Sequence, residues 1–125
     1  MESSSEYLNV VVGRGGIATQ LISQLIENGE NVLVLARGPV DGIDTPYVHL
    51  DLENQESIAD AFETINEPVK RVLVCTGLLH GNGEWGPERQ WSELDAEILM
   101  KYYLINTIGP ALVAKYALPK LPNSK

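Results

Sequence analysis

The sequence is poor in cysteine and in basic residues. Its 125 residues include one cysteine, which leaves no internal disulfide and no cysteine-rich zinc site and favours a reducing compartment. Nine Lys and Arg stand against seventeen Asp and Glu, so the formal net charge is −8. A surface of that sign repels phosphate backbones, and we therefore expect no nucleic-acid partner.

Long apolar runs are also missing. Stretches such as 32–36 are far shorter than the roughly 20 residues that a membrane-spanning helix needs. The first six residues, Met-Glu-Ser-Ser-Ser-Glu, lack the basic region and the apolar core of a signal peptide. We expect a cytoplasmic protein with no membrane partner.

What the sequence does contain is a regular alternation of short β-forming runs and longer amphipathic segments. Hydrophobic residues make up 44% of the chain and charged residues 21%, a balance typical of one small globular domain. An alternating order of this kind predicts an α/β fold with parallel strands and crossover helices. The predicted strands cover 8–12, 31–36, 47–51 and 71–76, and the predicted helices cover 17–27, 57–65 and about 95–118.

Two strand orders fit this pattern. The favoured order is 3-2-1-4, the first half of a Rossmann-like doubly wound parallel sheet. A flavodoxin-like order fits the same succession of strands and helices. The residues at the ends of the strands must decide between the two.

The first predicted strand runs directly into a glycine-rich turn and then a helix. Residues 13–18 fit G-x-G-x-x-[G/A], which in this context predicts a dinucleotide-binding loop. Its glycines allow a tight turn and a close approach of the backbone to a pyrophosphate, which faces the N–H groups at the start of the helix. The alternative is a tight turn without a ligand. The residues proposed to bind the cofactor here are Gly13, Arg14, Gly15, Gly16 and Ile17.

The end of the second strand bears on the kind of dinucleotide. An NAD site places a carboxylate there to hold the ribose hydroxyls, whereas this strand ends at Arg37. A guanidinium suits an adenosine 2′-phosphate, and Arg14 would add a second one. The sequence therefore favours NADP over NAD. Either arginine could instead be a solvated loop residue.

Four stretches of the chain together resemble the N-terminal half of a short-chain dehydrogenase/reductase. The turn differs from the family pattern at Val12, where the family has its first glycine, and at Ala18. Residues 87–89 and 94–95 are similar to the C-factor (C-signal-like) branch of the family. The four stretches are 12–18, 50–52, 74–80 and 103–112.

The resemblance implies roles for residues outside the glycine turn. Asp51 and Leu52 would meet the adenine, and Thr76 and Gly77 would also bind the cofactor. Asn106 would be the asparagine of the catalytic tetrad, which holds a helix kink and a water. On the residues alone, Asp51 could equally be a charge at a helix N-terminus, and Asn106 could cap a second helix.

The family's chemistry also needs a serine and a Tyr-x-x-x-Lys pair on a later helix. The 125 residues hold one such spacing, Tyr116 to Lys120, but Pro119 interrupts it and it follows Asn106 too closely. The resemblance thus implies that residues 1–125 are an NADP-binding Rossmann half-domain without the catalytic second half, inactive alone. The alternative is a non-enzymatic nucleotide-binding or signalling module.

The resemblance has a consequence for assembly. In the family a fifth strand would cover strand 71–76. The family also uses the helix that corresponds to about 95–118 for dimerisation. We therefore expect a homodimer, formed through the 95–118 helix or through the exposed strand 71–76. His80, just past that strand, is a candidate contact for a nicotinamide, although a loop histidine is more often a bystander.

Overall fold

The computed structural model describes residues 7–78 and 86–122. Its centre is a four-stranded sheet in which every pairing is parallel and the strand order is β3-β2-β1-β4. This order confirms the Rossmann-like α/β prediction and excludes the flavodoxin-like one. The strands are β1 (Leu8–Val12), β2 (Asn31–Ala36), β3 (Tyr47–His49) and β4 (Val69–Val74).

Helices follow the strands as crossover connections, and a longer helical segment follows β4. The segment consists of two α-helices joined by one π-helical turn, Leu104–Ile108, and ends in a 3₁₀ turn at Leu118–Lys120. A shorter 3₁₀ turn covers Trp91–Glu93. The α-helices are α1 (Gly16–Glu27), α2 (Gln55–Glu63), α3 (Ala96–Tyr103) and α4 (Gly109–Ala117).

The core lies on both faces of the sheet, because side chains alternate along β1. Val10 and Val12 face α2 and α4, where they pack with Phe62 and Val113. Val11 faces the opposite way, toward α1. All five residues of β1 are buried, as a central parallel strand requires. β4 forms the edge of the described sheet, and its last residue, Val74, is 38% exposed.

The end of α1 and the start of α3 lie where the sequence indicates. α1 ends at Glu27 with Asn28 as its C-cap, and Gly29 follows with a φ of +75°, a conformation that favours glycine. The Asp95 carboxylate accepts hydrogen bonds from the backbone N–H groups of Glu97 and Ile98, which caps α3.

Three predicted elements have wrong boundaries. β3 stops at His49 because the Asp51 backbone turns to bond the Ser57 hydroxyl. α2 begins at Gln55 rather than 57, since the Asn54 side chain accepts from the Ser57 N–H and caps the helix.

The third error concerns β4, which spans 69–74 rather than 71–76. Buried Val69 pairs with Leu8, so the ladder starts two residues earlier. The register then shifts, and Asn9 pairs with Arg71, leaving Lys70 at an irregularity of the strand. The strand edge proposed as one of the two dimerisation surfaces is therefore that of 69–74. On the opposite side, toward β1, the Cys75 N–H adds one bond to the Val12 carbonyl.

In the two described ranges, no helix has the length and apolar character needed to cross a membrane.

Candidate functional site

A cleft of about 400 Å³ lies at the carboxyl edge of the sheet. It is centred where β1 has β2 on one side and β4 on the other: the chain crosses from β1 to β2 on one side and from β3 to β4 on the other. Ligands of open α/β sheets bind at this kind of position. The lining comes from the glycine turn, the ends of β2 and β4, the segment after β3 and the π turn: Val12, Gly13, Arg14, Gly15, Leu35, Ala36, Arg37, Leu50, Asp51, Leu52, Glu53, Cys75, Thr76, Gly77, Leu78 and Ile105.

Gly13 is required by the backbone and by its neighbours. Its φ is +127°, which L side chains rarely adopt. A Cβ there would also lie 2.9 Å from the carbonyl oxygen of Cys75 and 3.0 Å from Cγ2 of Thr76. The glycine therefore allows the turn after β1 to pass close to the end of β4.

Gly15 precedes α1 in an extended conformation, with a φ of −78°, and faces open space. Apart from its two chain neighbours, no described residue has a heavy atom within 4 Å of the position of its missing Cβ. No side chain in the described ranges caps α1, and its first turn contains no acidic residue. A helix start of this kind can accept an anionic ligand, because its N–H groups and dipole favour negative charge.

Arg14 and Arg37 line the same side of the cleft, and both are exposed. The Nη1 of Arg14 donates a 3.3 Å hydrogen bond to the carbonyl oxygen of Pro39. The guanidinium of Arg14 thus lies over the turn that follows β2. Two permanent positive charges therefore line one cleft of a protein whose formal net charge is −8.

Asp51 and Leu52 line the cleft between β3 and α2. One Asp51 carboxylate oxygen accepts the N–H of Glu53 at 2.9 Å, so Asp51 forms a turn ahead of the helix. The cap of α2 is Asn54, and the acid in its first turn is Glu56. Asp51 therefore lies before the N-terminus of α2, whose charge was its alternative role. Leu52 is buried and packs against Gly109.

The end of β4 supplies one polar atom that lacks a partner within the described protein. The hydroxyl oxygen of Thr76 is buried and has no hydrogen-bond partner in the residues that the structure describes. Such an atom favours a ligand or a water nearby, since an unpaired buried hydroxyl costs about 1–3 kcal/mol. Burial raises the pKa of the neighbouring Cys75 thiol, which packs against the buried side chains between the sheet and α1.

Asn106 lies in the π turn and clamps the segment after β4. Its Oδ1 accepts the N–H of Leu78 at 2.7 Å, and its Nδ2 donates to the carbonyl oxygen of Leu78 at 2.8 Å. The proposal that Asn106 caps a second helix is wrong, because α4 begins at Gly109 without a side-chain cap. Asn106 does not itself line the cleft, whereas its neighbour Ile105 does.

The Tyr116–Lys120 spacing is used for packing. The Tyr116 hydroxyl accepts a hydrogen bond from Nε2 of Gln55 at 2.9 Å. The Lys120 ammonium donates to the carbonyl oxygen of Ile65 at 2.8 Å. Neither side chain lines the cleft.

Three further predicted contact residues are not among the described residues that line the cleft. Gly16 and Ile17 form the first turn of α1 and are absent from the cleft lining, and Ile17 is 79% exposed. His80 lies outside the described residues. Sequence reasoning missed Leu78 and Ile105; their only sequence signal is their position beside Gly77 and Asn106.

No protein-family model matches this sequence, and no curated protein matches it. Solved structures do match. Ligand-free aldohexose dehydrogenase of Thermoplasma acidophilum is 14% identical with a TM-score of 0.77, over 92% of this chain and 44% of that one. A short-chain dehydrogenase of Leptospira borgpetersenii with bound NAD+ is 17% identical with a TM-score of 0.77, over 92% and 46%.

A third match carries a different dinucleotide. A Burkholderia multivorans protein described as a short-chain dehydrogenase/reductase, with bound NADP, is 16% identical with a TM-score of 0.77, over 94% of this chain and 55% of that one. The chain thus spans about half the length of these proteins and shares their fold.

Proposed function

We propose that the chain is the NADP-binding portion of a short-chain dehydrogenase/reductase oxidoreductase of the C-factor-like branch. The observation that carries the proposal is the cleft at the switch of strand order. It brings together the glycine turn, two arginines, Asp51 and Thr76 from four separate segments. The similar fold of proteins solved with NAD+ and with NADP supports a nicotinamide dinucleotide as the ligand.

The residues present fit such a ligand. The open space at Gly15 and the start of α1 would hold the pyrophosphate, and Asp51 and Leu52 would hold the adenine. The unpartnered hydroxyl of Thr76 and the adjacent Gly77 would bind the more distant part of the dinucleotide. A bound nicotinamide would supply the hydride of an oxidoreductase reaction.

The preference for NADP rests on charge. Arg14 and Arg37 would bind the 2′-phosphate, which NAD lacks. Among the residues that line the cleft, the carboxylates are Asp51 and Glu53, on the segment after β3 rather than at the end of β2. A carboxylate at the end of β2 would instead favour the free ribose hydroxyls of NAD.

Asn106 is proposed as a catalytic residue of the complete enzyme, and residues 1–125 alone are proposed to be a half-domain without turnover. The one Tyr-x-x-x-Lys spacing in the sequence is engaged in packing contacts away from the cleft. The same observation favours the second candidate, a non-enzymatic nucleotide-binding or signalling module. Turnover of a carbonyl or alcohol substrate by this chain would contradict both proposals.

Titration calorimetry with NADP+ and NAD+ tests the proposed cofactor. We expect NADP+ to bind about tenfold or more tightly than NAD+, because charge-assisted hydrogen bonds to the 2′-phosphate are lost with NAD+. Arg37→Met should remove most of that preference. Arg71→Met is the matched control, since Arg71 is exposed on β4 outside the cleft lining. Equal affinities for the two dinucleotides would refute the NADP preference, and no binding of either would refute the cofactor site.

We further propose a cytoplasmic location, supported by the single cysteine, and a homodimer. The surface that supports a dimer is the exposed apolar side of α3 and the π turn: Leu99, Met100, Tyr103, Leu104 and Ile108. Glu97 and Lys101 flank it one helical turn apart. A second copy in antiparallel orientation would oppose these two charges, as a two-fold interface allows. The β4 edge is the alternative surface.

A further inference from the structure

The turn that follows β2 has an arginine lying directly on a glycine. A Cβ added to Gly38 would lie 3.2 Å from Nη1 of Arg14 and 3.5 Å from its Cζ. The same Nη1 donates to the carbonyl oxygen of Pro39. Gly38 is buried, whereas Arg14 on top of it is exposed. The guanidinium therefore rests on a surface that exists because residue 38 has no side chain.

The backbone at Gly38 does not itself demand glycine. The glycines with positive φ in the described ranges are Gly13, Gly29 and Gly42, so Gly38 lies in a region that other residues adopt. Its successor is a proline, which favours an extended conformation that alanine tolerates well. Beyond its two chain neighbours, the three nearest heavy atoms that an added Cβ would meet all belong to the Arg14 side chain. What Gly38 supplies is room for that guanidinium.

We propose that Gly38 is a specificity-determining position that holds Arg14 beside Arg37 for recognition of the 2′-phosphate. The inference rests on the proposed NADP site and adds a residue that does not touch the ligand. A guanidinium that is already held in place loses less conformational freedom when it binds an anion than a freely moving one. Gly38 is thus a positioning residue that acts through Arg14.

The group that a substitution at Gly38 would meet first is the Arg14 guanidinium. At 3.2 Å the contact is tighter than an ordinary one, so an added Cβ must displace the guanidinium by a few tenths of an ångström or more. The displaced group is the end of a flexible, exposed side chain, and its movement is cheap for the fold. Gly38→Ala should therefore change ligand preference while leaving stability almost unchanged.

The experiment is a double-mutant cycle of Gly38→Ala and Arg14→Met, with NADP+ and NAD+ affinities measured by calorimetry and melting temperatures measured alongside. We expect Gly38→Ala to lower the ratio of NADP+ to NAD+ affinity about three- to tenfold, less than the loss of a whole charge-assisted hydrogen bond. In the Arg14→Met background the same substitution should leave the ratio unchanged, because residues that act through one group are not additive.

Each other outcome bears on the proposal in a definite way. An unchanged ratio in Gly38→Ala, together with a clear NADP+ preference of the unaltered chain, overturns the role of Gly38 and leaves the NADP site standing. A further drop in the Arg14→Met background shows that Gly38 acts by another route, and a large loss of melting temperature shows a structural role; both overturn it. Absence of any NADP+ preference in the unaltered chain refutes the phosphate site itself, and the role of Gly38 with it.

Discussion

The Asn106 side chain bonds both backbone groups of Leu78, accepting its N–H at 2.7 Å and donating to its carbonyl oxygen at 2.8 Å. The two bonds tie the π turn, Leu104–Ile108, to the segment that follows β4. Single π turns within α-helices are frequent at functional sites, and this one brings Ile105 to the cleft while Asn106 holds its wall.

Asn106→Ala should loosen that wall. The loss of two exposed hydrogen bonds should lower the free energy of unfolding by about 1–2 kcal/mol, and weaker dinucleotide binding should accompany it because Thr76, Gly77 and Leu78 line the cleft. Urea denaturation and calorimetry measure the two effects. Asn106→Asp is the matched variant, since it keeps the acceptor for the N–H and loses the donor. An Ala variant that is unchanged in both measurements, with the Asp variant no weaker, would contradict the clamp.

Gly13 and Gly15 should respond differently to the same substitution. Gly13→Ala combines a φ of +127° with a Cβ 2.9 Å from the Cys75 carbonyl oxygen, so it should lower the free energy of unfolding by about 2–4 kcal/mol. Gly15→Ala has an allowed φ, and its Cβ would meet no described atom within 4 Å beyond the two chain neighbours. It should therefore be nearly neutral for stability and weaken dinucleotide binding about tenfold or more by occupying the approach of the pyrophosphate. Chemical denaturation separates the pair, and equal destabilisation would show that our assignment of the turn is wrong.

Gly109→Ala should destabilise the protein even though Gly109 lies in a helix. Helix propensity favours alanine over glycine by about 1 kcal/mol. Here a Cβ would lie 2.9 Å from Cβ of Leu52 and 3.2 Å from the backbone oxygen of Leu104, and overpacking of that kind costs about 1–3 kcal/mol. We therefore expect a net loss in urea denaturation. Gly16→Ala is the control, because Gly16 begins α1 and an added Cβ there would meet no described atom within 4 Å beyond its chain neighbours and the helix's own backbone. A gain in both variants would contradict the close packing of α4 on Leu52.

Stability should depend on pH through Glu30. Burial would by itself raise the pKa of this carboxyl, but hydrogen bonds from Lys70 and Asn9 and the positive charges of Lys70 and Arg71 lower it below its usual 4.5. A folded-state pKa below the unfolded one gives stability that is present above pH 4.5 and is lost as the pH falls through the lowered value.

Melting temperatures between about pH 3 and 7 measure this dependence. Lys70→Met removes the ammonium 3.2 Å from Oε1 of Glu30, and it should lower the melting temperature at neutral pH and flatten the profile in the acid range. Glu30→Gln should flatten the same range. Profiles parallel to that of the unaltered chain in both variants would show that another group governs the acid transition.

The proposed dimer interface makes a prediction about mass in solution. Met100 is 68% exposed on the apolar side of α3, and Met100→Glu should convert a dimer to a monomer by burying a charge at that surface. Val74→Glu places the same charge on the β4 edge and should leave the dimer intact. Light scattering across concentrations checks both, and monomer mass for the unaltered chain at every concentration would refute the dimer.

The order of elements and most of the cleft were predictable from local pattern. Apolar runs that end in glycine specify buried parallel strands, and the glycine turn after β1 fixes where α1 begins. The boundaries were less predictable, because Asn54 caps α2 ahead of the predicted helix start at 57 and because the register irregularity at Lys70 lets β4 begin at Val69. The start of β4 depends on its pairing with β1, which is distant in the chain.

The roles of individual side chains divide in the same way. The sequence by itself determined the α/β class, the glycine turn and the presence of Arg14 and Arg37, because these follow from residue type and spacing, whereas the structure decided between the two strand orders. Only the tertiary structure decided that Asn106 clamps Leu78, that Leu52 fits against Gly109 and that Gly38 supports Arg14. Those relationships join residues that are 24 to 57 positions apart, and a close contact over such a separation depends on how the layers pack rather than on local pattern.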